Sequence, residues 1–344
     1  MDIYKNKGLS GLANLGNTCF INSCMQVLSH TYELNDFLNS GKYKKRLKQK
    51  PETLLLTEWD NLRQLLWSNN CIIAPNKFLK TIQKVAEIKG RDLFTGYSQN
   101  DLPEFLLFVI DCFHESMSRE IVMNISGNVE NDTDETAVKC FETIKNMYSN
   151  DYSEIWNMFY AISVTQIYNL NTNEKLSIKP DPYFMIDLPV PPENKSPTLL
   201  DCFNHYVNGE ILSGENAWYN EKTGQKEDVH KKIAFWSFPT ILVIDFKRFN
   251  ARNQKNQILI TFPIDDLDLS PYVVGYKKHT YKYELYGVCN HSGSVMGGHY
   301  TAYVKNANGK WYHFNDTSIS EVGLVETIIS PKAYCLFYRK KSGS

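Results

Sequence analysis

The spacing of apolar residues changes once along this chain, near residue 150, and that change limits the architectures open to it. Before it the period is helical: Phe20, Ile21, Cys24, Val27 and Leu28 share one helix face, as do Leu54, Leu55, Trp59, Leu62 and Leu66. Leu106–Phe113 is apolar on nearly every side, which predicts a buried helix. After it, alternating and β-branched runs dominate, at Ile162–Tyr168, Ile233–Phe238, Thr240–Phe246, Tyr283–Cys289, Tyr300–Val304 and Ala333–Tyr338. Helices first and strands later predict an α+β fold, with a cleft where the two parts meet. The 344 residues fit two average domains or one large one, and no repeat or low-complexity linker divides them.

Charge and composition remove several classes of function. Lys and Arg number 37 against 38 Asp and Glu, a net charge of −1, so no basic field is available to hold nucleic acid. No apolar run approaches the roughly 18–20 residues that span a bilayer, and Met1–Ser10 is polar, so neither a membrane span nor a secretory leader is expected. The basic run Lys42–Lys50 reads as a solvated helix end and the acidic run Glu130–Glu135 as a loop. None of the eight cysteines forms a C-x-x-C pair, which fits reduced thiols in an intracellular protein rather than a disulfide framework. Neither cysteines nor histidines show ligand spacing for a metal enzyme.

One cysteine stands out. In Gly11-Leu-Ala-Asn14-Leu-Gly16-Asn-Thr-Cys19-Phe-Ile-Asn22-Ser a glycine-containing turn leads into a helix, with Asn17 or Thr18 as candidate N-cap. Cys19 then lies in the first turn, where free backbone N–H groups and the helix dipole favour a thiolate and could stabilise an oxyanion. Asn14 could add a side-chain donor. A buried structural cysteine is the competing reading, and Cys24 illustrates it.

The second constellation lies in the strand-rich half. His299 opens the run His299–Val304, and Asn308-Gly309 marks a hairpin leading to Trp311–Asp316. A four-residue turn, Asn306–Gly309, sets His299 opposite Asp316, with Cβ atoms roughly 4.5–5.5 Å apart. A carboxylate there would fix the imidazole tautomer and leave the other nitrogen facing the cleft. A register slip of one or two residues would break this pairing. Gly297 and Gly298 would let a substrate backbone pass close by. His291 and His313 compete as bases, His313 reading more simply as a strand residue.

With both constellations in view, the chain resembles the ubiquitin-specific protease family over essentially its whole length. GLANLGNTCFINSCMQ is similar to the family's cysteine box, GVCNHSGSVMGGHYTAYVKNANGKWYHFNDTSISEV to its histidine box, and AYCLFYRKK to its closing strand. SQNDLPEFLLFVID resembles the Gln-x-Asp helix and FPTILVIDFKRF the central palm strand. The resemblance implies a single catalytic domain over 1–344 with a papain-like cysteine peptidase fold. A helical thumb would cover about 1–150, and β-sheet palm and β fingers about 151–344.

It also implies a deubiquitinating thiol isopeptidase that cleaves after the C-terminal glycine of ubiquitin on lysine-linked conjugates. Carried over, Cys19 is the nucleophile, His299 the general base and acid, Asp316 the orienting residue and Asn14 the oxyanion-hole side chain. Asp101 and Glu104 match positions that bind the arginine-bearing ubiquitin tail, and Tyr300 is a further tail contact. Asp101-x-Pro103-Glu104 also has the spacing of a helix capping box. The implied partners are ubiquitin and ubiquitinated proteins, in cytoplasm or nucleus (of a host cell if the chain is viral), with no cofactor, nucleic acid or membrane. Alternatives are a protease for another ubiquitin-like modifier or a catalytically silent ubiquitin-binding module.

One departure concerns the fingers. Family members with a structural zinc carry two C-x-x-C pairs, whereas Val164–Asn171 and Ala217–Lys222 contain no cysteine, so no structural zinc is expected. Strand pairing and packing around Trp218, Tyr219 and Trp236 are expected to hold the fingers instead.

Overall fold

Helices fill the first half of the computed structural model, which describes residues 2–193, 195–294 and 297–341. In chain order they are α1 (Cys19–Ser29), α2 (Tyr32–Asn39), α3 (Glu52–Ser68), α4 (Asn76–Ile88), α5 (Leu102–Met117), α6 (Asp132–Asp151) and α7 (Glu154–Phe159). Two short strands, β1 (Gly11–Leu12) and β2 (Ile72–Ile73), pair in parallel among them.

From Ala161 onward strands take over. They run β3 (Ala161–Asn169), β4 (Lys175–Tyr183), β5 (Met185–Pro189), then α8 (Leu199–Asn208), β6 (Glu210–Leu212), β7 (Trp218–Asn220), β8 (Gln225–Glu227) and β9 (Val229–Phe235). The rest are β10 (Ile241–Lys247), β11 (Leu267–Asp268), β12 (Lys282–Ser294), β13 (Gly297–Lys305), β14 (Trp311–Asn315), β15 (Ser318–Glu321) and β16 (Ala333–Lys340).

The large sheet runs β15-β14-β13-β12-β16-β10-β5, with β11 against β12. Its centre is apolar on both faces, and β10 shows why. Ile241 and Val243 join the core beneath the helices, while Leu242, Ile244 and Phe246 join a second core behind the sheet with α8. A strand covered on both sides needs a continuous apolar run rather than alternation.

Helix α1 departs from its expected one-sided pattern: all of its residues are buried. It is wedged between α5 and strands β12 and β13, so its polar side chains must find protein partners. Gln26 Nε2 donates to the Ser10 carbonyl at 2.7 Å, and Ser29 Oγ to the Gln26 carbonyl at 2.9 Å. Arg339 at the end of β16 fastens this region to the sheet. Its guanidinium pairs with Glu33 at 2.5 Å, donates to the His30 carbonyl at 3.0 Å, and lies between the rings of Tyr32 and Tyr286. On α3, Leu54 points outward while Leu55, Trp59, Leu62 and Leu66 are buried as expected.

Both charged runs are used locally. Tyr43 of the basic run is buried, Arg46 pairs with Glu154, and Lys48 Nζ donates to Ser118 Oγ at 2.8 Å. The acidic run is not a loop but the start of α6: Asn131 caps it by accepting from Thr133 and Asp134 N–H. Acidic side chains in a first turn complement the helix dipole, which the loop reading overlooked.

A second sheet, β4-β3-β9-β6, and the β7–β8 hairpin make the projecting part. Trp236 packs at its base with Ala137 and Cys140 of α6, but Tyr219 at the tip is exposed. Polar contacts hold the tip. The Glu227 carboxylate accepts from Asn220 Nδ2 at 2.7 Å, Thr223 Oγ1 at 3.1 Å and Asn169 Nδ2 at 3.4 Å, while Leu170 N–H donates to the Asp228 carbonyl at 3.1 Å. Among the described residues no group of three or more His, Cys, Asp or Glu is placed to hold a metal ion.

Candidate active site

The loop before α1 is pinned to the far end of the large sheet. Leu12 N–H donates to the Asp316 carbonyl at 3.0 Å, and a side chain at Gly11 would meet the Thr317 carbonyl oxygen at 2.6 Å. The chain then turns through Gly16 and Asn17, both with positive φ, into α1. Thr18 occupies the N-cap position without capping: its hydroxyl accepts from Leu15 N–H at 2.9 Å. Asn17 Nδ2 instead donates to the Tyr97 carbonyl at 3.0 Å.

Cys19 opens α1 and is buried. Backbone N–H groups of Tyr300, Phe20 and Cys19 itself act on its sulfur and favour the thiolate. Burial outweighs them and, with the Asp316 carboxylate adding to it, pushes the thiol above its ordinary value. The sequence expectation of a lowered thiol is therefore reversed. The helix-terminal amides are present, but the site is buried and has a carboxylate nearby. The Tyr300 amide brings the sulfur within one residue of His299 along β13.

The hairpin carrying His299 is out of its expected register. Ala302 lies opposite Phe314 and Val304 opposite Tyr312, one residue away from the pairing that would match His299 with Asp316. The cause is a longer turn: Asn306 N–H donates to the Lys310 carbonyl at 2.9 Å, and Gly309 takes a left-handed φ of 83°. That extra residue is the bulge such hairpins place after a tight turn. The paired ladder stops at Ala302 and Phe314, short of His299, whose side chain instead finds Asn315: His299 Nε2 lies 2.7 Å from Asn315 Oδ1, and no hydrogen bond joins it to Asp316 among the described residues. An amide oxygen only accepts, so Nε2 carries the hydrogen and Nδ1 is left as the basic nitrogen.

Asp316 sits in the two-residue connection between β14 and β15, with φ 50°. Its carboxylate accepts from Asn14 Nδ2 at 3.1 Å and from Asn22 Nδ2 at 2.7 Å. Asn14 Oδ1 in turn accepts the N–H groups of Gly16 and Thr18, at 3.1 and 3.2 Å. Asn14 is thus oriented from both ends, and among the described residues only one partner, Asp316, accepts from its amide nitrogen.

The tail-site residues gather around a cavity of about 320 Å³ lined by Gln99, Asp101, Phe249, His291, Tyr300 and Tyr334. Asp101 occupies the N-cap position of α5 but makes no side-chain cap, so the capping-box alternative fails. Its Oδ1 accepts from the hydroxyls of Tyr334 at 2.9 Å and Tyr300 at 3.4 Å. The residue as a whole is exposed, yet protein crowding its carboxylate raises the pKa against the pull of both tyrosines. Glu104 is exposed one turn on, beside a separate groove with Leu107 and Asp111. His291 is buried and held down to about 4, by burial first and by Lys255, whose Nζ lies 3.0 Å from its Nδ1. A competing base at His291 is thereby disfavoured. His313 lies tilted against the Tyr303 ring within the sheet, centroids 4.8 Å apart.

Gln99, the Gln of the Gln-x-Asp motif, was given no role of its own from the sequence. Its Oε1 accepts Gly298 N–H at 2.7 Å, bridging helices and histidine loop. Gly298 is required by packing, since a Cβ there would meet the Ser292 carbonyl oxygen at 2.3 Å and His291 Nε2 at 2.5 Å. Asn315 and Asn22 were also missed. Asn315 had a signal in its adjacency to Asp316, and Asn22 in being a polar residue three positions after Cys19 on the same helix face.

Cys19 thus opens a buried helix packed against β13, the strand that carries His299, whose imidazole is held by the Asn315 amide. The chain belongs to the ubiquitin carboxyl-terminal hydrolase family, whose model matches residues 10–338. It is 33% identical over 352 residues to ubiquitin carboxyl-terminal hydrolase 2 of Bos taurus, covering 99% of this chain and 57% of that protein. The chain therefore spans little more than half the length of its mammalian relatives. The Gallus gallus protein of the same name is 33% identical, with 98% of this chain and 95% of that one covered. Among solved structures, a Ubp8-containing SAGA DUB module bound to monoubiquitin superposes with a TM-score of 0.75 at 23% identity, over 99% of this chain and 71% of that one. The fold is the papain-like one of these catalytic domains.

Proposed function

We propose that the chain is a deubiquitinating thiol isopeptidase, a single catalytic unit over 1–344, acting on ubiquitin and ubiquitinated proteins. The observation that supports this reading is the position of Cys19 at the start of α1, which packs against the strand carrying a His299 whose Nε2 lies 2.7 Å from Asn315 Oδ1.

In the reaction, His299 Nδ1 takes the thiol proton as Cys19 attacks the carbonyl carbon of ubiquitin's terminal glycine. The resulting oxyanion is stabilised by the Cys19 N–H and an Asn14 amide hydrogen. His299 returns its proton to the departing lysine amine, leaving a thioester. Water attacks that thioester, gives its proton to His299, and Cys19 departs as thiolate to be reprotonated. Asn315 orients the imidazole, and Asp316 acts one step back, by aiming Asn14. Asp101 and Tyr300 would receive the substrate tail, and Glu104, beside its separate groove, would meet only a part of the substrate that reaches beyond that cavity. Every step uses groups of this chain and water.

The site of action we infer is the interior of a cell, cytoplasm or nucleus, a host cell if the chain is viral. The structure contributes only that no described helix is long and apolar enough to cross a membrane. The test is turnover of ubiquitin carrying a fluorogenic C-terminal amide. Wild-type protein should release the fluorophore and Cys19→Ala should not. Retained turnover in that variant, or none in folded wild type, overturns the reading.

A further inference from the structure

Asn22 is poorly suited to the helix that contains it. It lies near the start of α1, three positions after Cys19 on the same helix face, and asparagine is a weak helix former that favours caps and turns. The side chain is buried, only 2% exposed, and its Oδ1 has no hydrogen-bond partner among the described residues. A buried acceptor in that state subtracts from stability. Helix formation and packing therefore give little reason for an amide at this position.

The nitrogen end of the same amide is fully used. Nδ2 lies 2.7 Å from Asp316 Oδ1, 3.3 Å from the Leu12 carbonyl oxygen and 3.4 Å from the Ala13 carbonyl oxygen. All three are acceptors, which fixes the orientation of the amide. All three also border Asn14. Leu12 and Ala13 lead directly into it, and Asp316 Oδ2 accepts from its Nδ2 at 3.1 Å.

Asp316 needs an anchor of this kind. It stands in the connection between β14 and β15 with φ 50°, and both of its chain neighbours, Asn315 and Thr317, are exposed. Of the two amides that donate to its carboxylate, Asn14 is itself exposed. Only Asn22 reaches that carboxylate from the interior, and it does so from the nucleophile's own helix.

We propose that Asn22 is a positioning residue for the reaction: from the cysteine helix it holds Asp316, and through Asp316 it aims the Asn14 amide at the oxyanion. This rests on the isopeptidase reading and adds to it a residue that touches neither the substrate nor the reacting atoms.

The experiment compares wild type, Asn22→Leu, Asn22→Ala, Asp316→Ala and the double variant Asn22→Ala/Asp316→Ala on ubiquitin carrying a fluorogenic C-terminal amide. Leu and Ala both remove the donor but change the packing in opposite senses, and Ala serves where Leu does not fold. Each Asn22 variant should lose about tenfold in kcat with KM unchanged, a part of what removing an oxyanion donor outright does. The double variant should be no slower than Asp316→Ala, since residues that act in series are not additive. Alkylation of Cys19 by iodoacetamide, a displacement that forms no oxyanion, should reach the wild-type plateau rate at high pH in both Asn22 variants. Losses that multiply in the double variant, a lowered alkylation plateau, or a change confined to KM overturns the proposal. Active wild type with unchanged Asn22 variants overturns only the role of Asn22. Folded wild type without turnover overturns the isopeptidase reading itself.

Discussion

Asp316 accepts a hydrogen bond from Asn22, 2.7 Å away on the cysteine's own helix. With the second bond from Asn14, this one carboxylate joins α1, the loop before it and the sheet that carries His299. Its contribution is geometric: the two halves of the site come from opposite ends of the chain, and Asp316 sets their spacing. The cost is electrostatic, because the same carboxylate helps push up the Cys19 thiol.

That double effect separates two readouts. Asp316→Asn removes a negative charge near the sulfur, so the Cys19 thiol should ionise at lower pH, and its alkylation by iodoacetamide should shift the same way along the pH axis. Turnover should nevertheless fall, on the order of 10²-fold, the scale of a misaimed oxyanion donor. An alkylation profile that stays put or moves upward would contradict the electrostatic assignment.

The histidine's partner is tested by its neighbour. Asn315→Ala should lower kcat on the order of 10- to 100-fold with KM unchanged, since the imidazole loses the acceptor that fixes its tautomer. Asn315→Asp should stay within a few-fold of wild type, because a carboxylate accepts the same N–H. Steady-state kinetics on a fluorogenic ubiquitin substrate decides this. If Asn315→Ala is silent and Asp316 alone matters, the hydrogen bond to Asn315 is incidental.

These cases mark the boundary of what was legible in the sequence. Helices before strands, the buried α5 and the strands around β10 followed from apolar spacing, and Cys19 and His299 from local chemistry. What failed was register. The bulge at Gly309 moves the pairing by one residue, and one residue in a strand changes the neighbour and the face. Thiol ionisation failed for a different reason: a helix start is readable locally, but burial by β13 and the approach of Asp316 are tertiary facts. The fingertip shows the same limit, since Asn169, Asn220, Thr223 and Glu227 carry no spacing signal until the strands bring them together.

Acid should destabilise the fold through buried imidazoles. Burial holds His30 and His291 down to about 4, against an ordinary value near 6.5 in an unfolded chain. Between those values the unfolded chain binds more protons, so stability must fall as pH drops from about 6.5 toward 4. His30→Asn keeps a donor toward the Gln26 carbonyl and removes one titration, so its melting temperature should fall less steeply over that window. Parallel curves for variant and wild type would show that His30 does not contribute.

The fingertip should be indifferent to metal removal and sensitive to Glu227. Prolonged chelator treatment should leave the melting temperature unchanged. Glu227→Ala should cost about 1–3 kcal/mol by orphaning the buried Asn220 donor. Amide exchange should quicken in 169–174 and 214–228 in that variant while α1 keeps its protection. A chelator-induced loss of stability would mean a metal contributes to the fold.

The central claim is that Cys19 is a nucleophile addressed by a ubiquitin tail. Intact-mass analysis after incubation with ubiquitin bearing a C-terminal electrophile tests it most directly, with Cys19→Ala alongside. The account predicts one stoichiometric adduct on wild type and none on the variant. An adduct that persists in Cys19→Ala, or none on folded wild-type protein, would contradict it.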